Sequence, residues 1–424
     1  MILRPVMNLS CGPANDGPAL EAISQRIDAL IDPRFEQYKT FFQDIHAHPE
    51  LAQHERNTSE KIAAEMKALG FAVTIGVGRY EDGSPAHGVV SVLANGRGPV
   101  ALLRTELDGL PIKEQSGLPY SSKNEGVMHS CGHDLHMTIA AASAYALSQM
   151  KDVWRGTLIM VAQPAEETGA GAKAMIRDGL FTRFPKPDYA LALHASSLIA
   201  SGKIHYRAGA AYSAADIFDI TMIGKGGHGS RPDRTIDPIT MAAELLVKFQ
   251  ILRHEISPLE PNVISVGSIK AGEAANIIPS TAEVKGSIRS FNEDVRAKLK
   301  QRVAEAAKAV AVGSKAPEPR IEFPAEAPAV HNNPKLLARL LPAFRAAAGN
   351  NNVGEDEPRM GSEDFSQYSV LGQIPAVIFW LGVTPNPGPD VPDIHSPQFV
   401  AEFGPAFRSG VKAMVISVVA LSQR

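Results

Sequence analysis

Short apolar runs alternate with helical periodicities along most of the chain. Six runs have the length and composition of strands: 71–75, 88–94, 100–104, 156–162, 189–194 and 376–381. Helical spacing of apolar residues covers the segments around them: 35–45, 58–69, 134–150, 170–177, 334–347 and 399–421. The runs at 88–94 and 100–104 are apolar enough to be buried on both faces of the sheet. The alternation predicts a layered α/β domain with a mainly parallel sheet, in which ligands bind at the carboxyl ends of the strands.

The pattern changes in the middle of the chain. Strands are predicted at 215–223, 262–271, 281–290 and 320–323, with helices at 237–253 and 293–312. The resulting βαββαβ order is typical of a ferredoxin-like α+β domain. We therefore expect a leader and short helix over 1–32, the α/β domain over 33–212 and 326–424, and an inserted ferredoxin-like domain over 213–325.

Composition limits what the chain can bind. Of 424 residues, 44% are hydrophobic and 21% are charged, which is the usage of an ordinary folded protein. The net charge of -3 creates no global field that would concentrate nucleic acid or an anionic membrane, so we expect neither as a partner. Two cysteines, Cys11 and Cys131, exclude a disulfide framework and favour a reducing compartment, the cytoplasm.

The first residues do not resemble a targeting segment. Pro5 and Asn8 interrupt the short apolar stretch that a signal peptide would need, and Met7 could equally be the start. No run approaches the roughly 18 uninterrupted apolar residues of a spanning helix, so we predict no membrane span.

Metal-ligand side chains recur near predicted strand ends and helix starts. The residues are Cys131, His133, Glu166, Glu167, His194 and His395. Thiolate, imidazole and carboxylate together suit zinc, manganese, cobalt or nickel better than calcium. Each residue alone also has an ordinary explanation, because single buried cysteines pack as small hydrophobes and single histidines often serve as hydrogen-bonded structural groups.

Adjacent acids strengthen the metal interpretation. Glu166 and Glu167 follow a predicted strand and point in different directions, so one can bind metal while the other acts as general base on the attacking water. The alternative is a solvated pair of acids at a helix N-terminus, where the helix dipole favours them.

Eight motifs occur in one order across nearly everything after the leader. They are HPEL (48–51), LDGLPIKE (107–114), GVMHSCGHDLHM (126–137), QPAEE (163–167), GKGGHGSRP (224–232), ANIIPSTAEVKGSIRSF (275–291), GSEDF (361–365) and HSP (395–397). With these motifs the chain resembles the metal-dependent amidohydrolases of the hippurate hydrolase and auxin-conjugate hydrolase branch of the aminoacylase and carboxypeptidase family.

The resemblance implies a centre with two metal ions bridged by the Cys131 thiolate. Glu166 would be the general base and Asp108 would support the ligands from behind. The remaining protein ligands would be His133, Glu167, His194 and His395. An anion between two cations is what their mutual repulsion requires.

The same resemblance makes the inserted domain a lid and a dimerisation surface. His228 would reach the active site of the partner subunit, and Asn276 and Arg289 would bind the carboxylate of the substrate. Arginine suits this role because its planar fork can form two parallel hydrogen bonds. Without the resemblance, Arg289 at a strand end would be interpreted as a surface cation.

A glycine-rich segment formally matches the GxGxxG dinucleotide fingerprint at 224–229. In a dinucleotide-binding loop the helix opens at once, but here Pro232 and Pro238 delay it. We interpret these glycines as allowing a close backbone turn that presents His228.

Two places depart from the family pattern. Glu106 stands where the family usually has an aspartate, and it is one methylene longer. After His194 the family commonly has an aromatic residue and a proline, whereas 195–198 reads ASSL and could border the substrate pocket. Five histidines match no liganding position and are expected to be structural or at the surface: His87, His136, His205, His254 and His331.

We therefore expect a cytoplasmic metallohydrolase that cleaves the amide of an N-acyl or N-aroyl amino acid. It would hold one or two divalent ions per subunit, bind a small substrate with a carboxylate, and form a homodimer or larger homo-oligomer. Two alternatives stay open: hydrolytic deamination of a small aromatic amino acid such as an aminobenzoate, and a catalytically inactive, metal-stabilised binding protein. Retention of Glu166 beside Glu167 argues against the inactive protein.

Overall fold

The computed structural model of the protein describes residues 17–422. Most of the predicted leader, with Met7 and Cys11, lies outside the described residues. The described chain forms two compact units. The first contains residues 17–209, 331–357 and 367–422, and the second contains residues 210–330 and 358–366.

The elements follow the predicted alternation, with several short strands added. The helices are α1 (Gly17–Ile31), α2 (Phe35–Ala47), α3 (Arg56–Ala68), α4 (His133–Gln149), α5 (Gly171–Arg177), α6 (Pro238–Leu252), α7 (Glu293–Gly313), α8 (Pro334–Ala348), α9 (Ser366–Val370) and α10 (Phe403–Ser422). The strands are β1 (Ala72–Arg79), β2 (Pro85–Asn95), β3 (Val100–Glu106), β4 (Gly156–Gln163), β5 (Tyr189–Ala200), β6 (Ile204–Tyr206), β7 (Gly209–Tyr212), β8 (Ala214–Ile223), β9 (Gly227–His228), β10 (Asn262–Ala271), β11 (Ile277–Ile278), β12 (Thr281–Ser290), β13 (Arg320–Ala327), β14 (Val330–Asn332), β15 (Val353–Glu355) and β16 (Ala376–Thr384).

An eight-stranded mixed sheet organises the first unit, in the order β1-β2-β4-β3-β5-β16-β6-β15. Its centre, β4-β3-β5-β16, is parallel. The flanking strands β2 and β6 run antiparallel to their central neighbours. All residues of β16 are buried, as expected of a strand covered on both faces. The predicted α/β fold with a mainly parallel sheet is confirmed, and the antiparallel edges are an addition that apolar runs do not encode.

Helix α10 lies in the core of the first unit. By length and composition it could cross a membrane, but 67% of its most apolar window is buried. It packs against α4, α8 and β16, and its Phe403 stacks on Phe42 of α2 with ring centroids 5.0 Å apart. This burial is the pattern of a core helix.

The second unit contains a four-stranded antiparallel sheet in the order β10-β12-β8-β13. Helices α6 and α7 pack on it, and Phe249 of α6 meets Phe218 of β8 with ring centroids 5.5 Å apart. These elements follow one another in βαββαβ order.

The unit boundaries differ from the predicted ones. Residues 358–366, assigned from sequence to the α/β domain, belong to the second unit because they hydrogen-bond to it. The Arg359 amide donates to the Ala211 carbonyl at 2.8 Å, and the Ser213 amide donates to the Arg359 carbonyl at 3.0 Å. The return of residues 358–366 to the second unit produces no local pattern of apolar residues, so the sequence does not indicate it.

A buried imidazole ties α2 to the start of α4. His46 places Nδ1 2.7 Å from Asp134 Oδ2 and Nε2 3.1 Å from Glu114 Oε1. Burial lowers the pKa of His46, but the hydrogen bonds to Asp134 and Glu114 outweigh it and raise that pKa to about 9. The charged imidazolium therefore holds the first turn of α4 in place.

We expect this ion cluster to make the stability of the metal-free protein fall at alkaline pH. The pKa of His46 rises from 6.5 to about 9 on folding, so its contribution is complete below about pH 6.5 and is lost as the pH rises through 9. The shift corresponds to roughly 3 kcal/mol, or roughly 5 to 10 °C in Tm. Thermal unfolding between about pH 6 and about pH 10 should show this loss in the natural protein and much less of it in His46→Gln. The exposed His254 offers a control, because His254→Gln should keep the full loss of stability with pH; an equally large loss in His46→Gln would contradict the assignment.

Candidate metal centre

The predicted ligands meet at the carboxyl ends of the central parallel strands. Asp108 follows β3, Glu166 and Glu167 follow β4, and His194 lies on β5 beyond Leu191, where the pairing of β5 with β3 ends. His395 lies in the segment after β16, and Cys131 and His133 come at the start of α4. Strand ends converge at one edge of a parallel sheet, so residues far apart in sequence become neighbours.

Cys131 lies at the centre of this cluster. Its Sγ is 3.4 Å from His194 Nε2 and 3.3 Å from His395 Nε2. His395 Nε2 in turn is 3.5 Å from Glu167 Oε2. The thiol is buried, whereas the His395 side chain beside it is half exposed.

His133 faces both acids of the predicted pair. Its Nε2 is 4.0 Å from Glu166 Oε2 and 3.9 Å from Glu167 Oε1. Within residues 17–422, His133 Nε2 and Glu167 Oε1 are buried polar atoms that lack a hydrogen-bond partner. Buried polar atoms are nearly always paired, so two such atoms facing each other indicate a site for a cation.

Backbone carbonyls determine which ring nitrogens point inward. His133 Nδ1 lies 2.8 Å from the Asp108 carbonyl, and His194 Nδ1 lies 2.8 Å from the Ala195 carbonyl. A carbonyl can only accept, so each Nδ1 carries the proton and each Nε2 directs a lone pair at the cluster. This is the arrangement in which histidine binds metal.

The electrostatics of the cluster favour a bound cation. Burial raises the pKa of the Asp108 carboxyl, and Glu167 raises it further. Burial also raises the pKa of the Cys131 thiol, with Glu167 and Glu166 adding to the effect. Burial lowers the pKa of His194 to about 3, which keeps its imidazole neutral. A divalent cation favours thiolate, carboxylate and neutral imidazole at once, so these residues fit such an ion.

Two backbone features place the ligands. Gly132, between Cys131 and His133, has φ 84°, and a Cβ there would lie 2.8 Å from the Ala195 Cβ, so only glycine fits. His395 is also in the left-handed region, with φ 65°, and its amide donates to the Ser130 carbonyl at 2.8 Å. Strain of this kind persists only where the surroundings enforce it.

Asp108 and Glu55 support the turn that carries the acids. Asp108 Oδ2 accepts from the Glu167 amide at 3.0 Å. Glu55, which the sequence reasoning missed, is buried and accepts from the Ala165 amide at 2.7 Å. Ala165 has φ 49°, so this hydrogen bond holds a strained residue directly before Glu166. The only sign of Glu55 in the sequence is that it is an acid close after the HPEL motif.

The second unit holds the remaining predicted residues. His228 on β9 pairs with Ile277 on β11, next to Asn276, whose carbonyl accepts from the Gly229 amide at 2.8 Å. Arg289 on β12 donates from Nη1 to the Met360 carbonyl at 2.8 Å. The structure thus brings His228 and Asn276 together. After the glycine-rich segment only a 3₁₀ turn follows before α6 begins at Pro238, unlike a dinucleotide-binding loop.

His136, expected to be structural, lies beside the cluster with both ring nitrogens engaged by the protein. Its Nδ1 is 2.9 Å from Glu106 Oε2, and its Nε2 accepts from the Ala195 amide at 2.8 Å. These hydrogen bonds leave it no lone pair for a metal, although it lies near His133.

Residues 102–415 match the family described as peptidase family M20/M25/M40. This match covers well over half of the chain. The chain belongs to this family.

Other members resemble this M20-family protein over most of their length. Thermostable carboxypeptidase 2 of Saccharolobus solfataricus is 35% identical over 362 residues, which are 84% of this chain and 88% of that protein. The hippurate hydrolase of Campylobacter jejuni is 35% identical over 333 residues, 78% of this chain and 84% of that protein. A solved Bacillus subtilis structure, described as a dinuclear metal-binding M20 peptidase, has a TM-score of 0.73 and 26% identity and covers 95% of this chain and 99% of that chain.

The resemblance drawn from the motifs is therefore confirmed. This M20-family protein is a metal-dependent amidohydrolase that binds divalent metal and acts on a small-molecule substrate.

Removal of the central thiol should abolish tight metal binding. In Cys131→Ser we expect the affinity for divalent metal to fall by more than the roughly 10- to 100-fold that loss of an outer hydrogen-bond partner costs. Metal per subunit after dialysis, measured by elemental analysis, is the readout. Cys11→Ser is the matched control and should keep its metal. Full metal content in Cys131→Ser would show that the thiolate is not a ligand.

Proposed function

We propose that the enzyme hydrolyses the amide of an N-acyl or N-aroyl amino acid at a centre of two divalent ions, with Glu166 as the general base. The ions would be held by Cys131, His133, Glu167, His194 and His395. The set of one thiolate, three imidazoles and one carboxylate supports zinc, manganese, cobalt or nickel.

Glu166 and Glu167 differ in their neighbours, and this difference supports separate roles for them as base and ligand. Both carboxylates approach His133 Nε2, at 4.0 Å for Glu166 and 3.9 Å for Glu167. Glu167 also lies 3.5 Å from His395 Nε2, so it borders the donors on both sides of Cys131. This supports Glu167 as a ligand and leaves Glu166 at the edge of the cluster, where a base would meet the water.

Bound divalent ions would lower the pKa of water and polarise the substrate carbonyl. Glu166 takes the proton from the water as its oxygen attacks the amide carbon. The same carboxyl group then donates that proton to the nitrogen as the C–N bond breaks, which yields a free carboxylic acid and an amine. Its nearly complete burial keeps the transferred proton from bulk water.

The substrate class is supported by relatives and by the second unit. Hippurate, on which the Campylobacter jejuni relative acts by its name, is an N-aroyl amino acid. Arg289 and Asn276 would bind the substrate carboxylate. His228, next to Asn276 on the β9–β11 pair, would stabilise the oxyanion in the partner subunit of a cytoplasmic homodimer. A substrate panel of N-acetyl and N-benzoyl amino acids with aminobenzoates tests this class against amine hydrolysis.

Neighbouring substitutions should separate base from ligand. Glu166→Gln should keep its metal but lose roughly 10²- to 10⁴-fold in kcat, since it removes only proton transfer. Glu167→Gln should lose metal affinity as well as activity. Hydrolysis of N-benzoylglycine and metal content are measured on the same preparations. A metal-loaded Glu166→Gln with near-normal kcat, or equal metal loss in both variants, would sink the assignment.

Complementation tests the role of His228 across the dimer. His228→Ala and Glu166→Gln should each be inactive alone, but mixed dimers should regain part of the activity because one of their two sites contains both native residues. Differently tagged subunits allow the mixed dimers to be purified and assayed. The double variant His228→Ala/Glu166→Gln, paired with either single variant, is the control and should regain nothing. Verified mixed dimers without activity would count against action in trans.

A further inference from the structure

A chain of hydrogen bonds runs from Glu106 to the metal-facing His194. Glu106 Oε2 lies 2.9 Å from His136 Nδ1. His136 Nε2 accepts from the Ala195 amide at 2.8 Å, and the Ala195 carbonyl lies 2.8 Å from His194 Nδ1. The two backbone groups of one residue, Ala195, thus link two imidazole rings.

Donor chemistry fixes the direction of every link. The Ala195 amide can only donate, so His136 Nε2 must present a lone pair and its proton must be on Nδ1, where the Glu106 carboxylate accepts it. The Ala195 carbonyl can only accept, so His194 carries its proton on Nδ1. His194 Nε2 therefore points its lone pair toward Cys131 Sγ, 3.4 Å away.

The residues around these hydrogen bonds are buried and hold the Glu106 carboxylate in a fixed position. Glu106 and His136 are almost fully buried, and Arg104 forms an ion pair with Glu106. Arg104 Nε also donates to Gln163 Oε1 at 3.1 Å, and Tyr368 donates to the same oxygen at 3.1 Å. The guanidinium keeps the Glu106 carboxylate ionised, which makes it a pure acceptor.

The sheet explains why an imidazole is needed at this place. Pairing of β3 with β5 stops at Leu191, so the Ala195 amide lies beyond the end of that ladder. A buried amide must find another acceptor, and the His136 ring supplies it. Glu106, at the end of β3, reaches that ring, whereas an aspartate would withdraw the carboxylate by about 1.5 Å.

We propose that Glu106 and His136 are positioning residues: they hold the backbone of Ala195, whose carbonyl sets the tautomer and orientation of His194. The inference rests on His194 being a metal ligand, as in the proposed function. Loss of such outer hydrogen bonds costs roughly 10- to 100-fold in metal affinity.

Two substitutions of His136 separate hydrogen bonding from packing. His136→Leu fills similar volume without an acceptor, while His136→Gln places its side-chain oxygen near the position of Nε2. Affinity for Co²⁺, measured by competition with a chelator, and the absorption of the cobalt–thiolate bond are read without any assay of hydrolysis. We expect His136→Leu to bind Co²⁺ roughly 10- to 100-fold more weakly, and His136→Gln to recover much of the loss.

Glu106→Asp is a second, independent variant for the same measurements. It keeps the negative charge opposite Arg104 and still tests the proposal if His136→Leu does not fold. It should weaken Co²⁺ binding in the same range, while Glu326→Asp, the same change at an acid that pairs with Arg296 in the second unit, should leave the cobalt–thiolate absorption unchanged. Natural affinity in both Glu106→Asp and His136→Leu overturns the positioning role, as does equal loss in His136→Leu and His136→Gln. Failure of the natural protein to bind Co²⁺ at all would instead refute the proposed metal centre.

Discussion

The mutual repulsion of buried donors is the constraint on which the catalytic unit depends. Cys131, Asp108 and Glu167 bring acidic groups together in the interior, and burial works against the charged form of each. Such a cluster is unfavourable without a cation, and folding alone cannot make it favourable. The parallel sheet, the turn held by Asp108 and Glu55, and the ion cluster at His46 keep the donors in place against this repulsion.

Of the five candidate ligands, His194 lies in a strand and His133 in a helix, whereas Cys131, Glu167 and His395 lie in turns. His194 is part of the buried strand β5, and His133 opens α4, whose first turn is fixed by Asp134 and His46. His395 lies in a loop, with its side chain half exposed. The candidate centre is thus buried at Cys131 and His133 and exposed to solvent at His395.

The structure brings the candidate donors together, and the sequence could point to them because their motifs are local: Cys131 and His133 lie in one short segment, and so do Glu166 and Glu167. The sequence also predicted the two kinds of unit, because periods of two and 3.6 residues persist over whole elements. The return of 358–366 to the second unit, the hydrogen bond from Ala165 to Glu55 and the link between Glu106 and His194 were beyond it. These features join residues that are distant in sequence. Hydrogen bonds between such residues cannot be inferred from the pattern of apolar and polar positions.

Gly132 ties three ligands to a single backbone position. Its left-handed conformation sets the angle between Cys131 and His133, and the missing Cβ leaves room for Ala195 beside His194. Any side chain at this position would displace all three together. Gly132 thus contributes to the candidate centre by the space that it leaves empty, without contacting an ion itself.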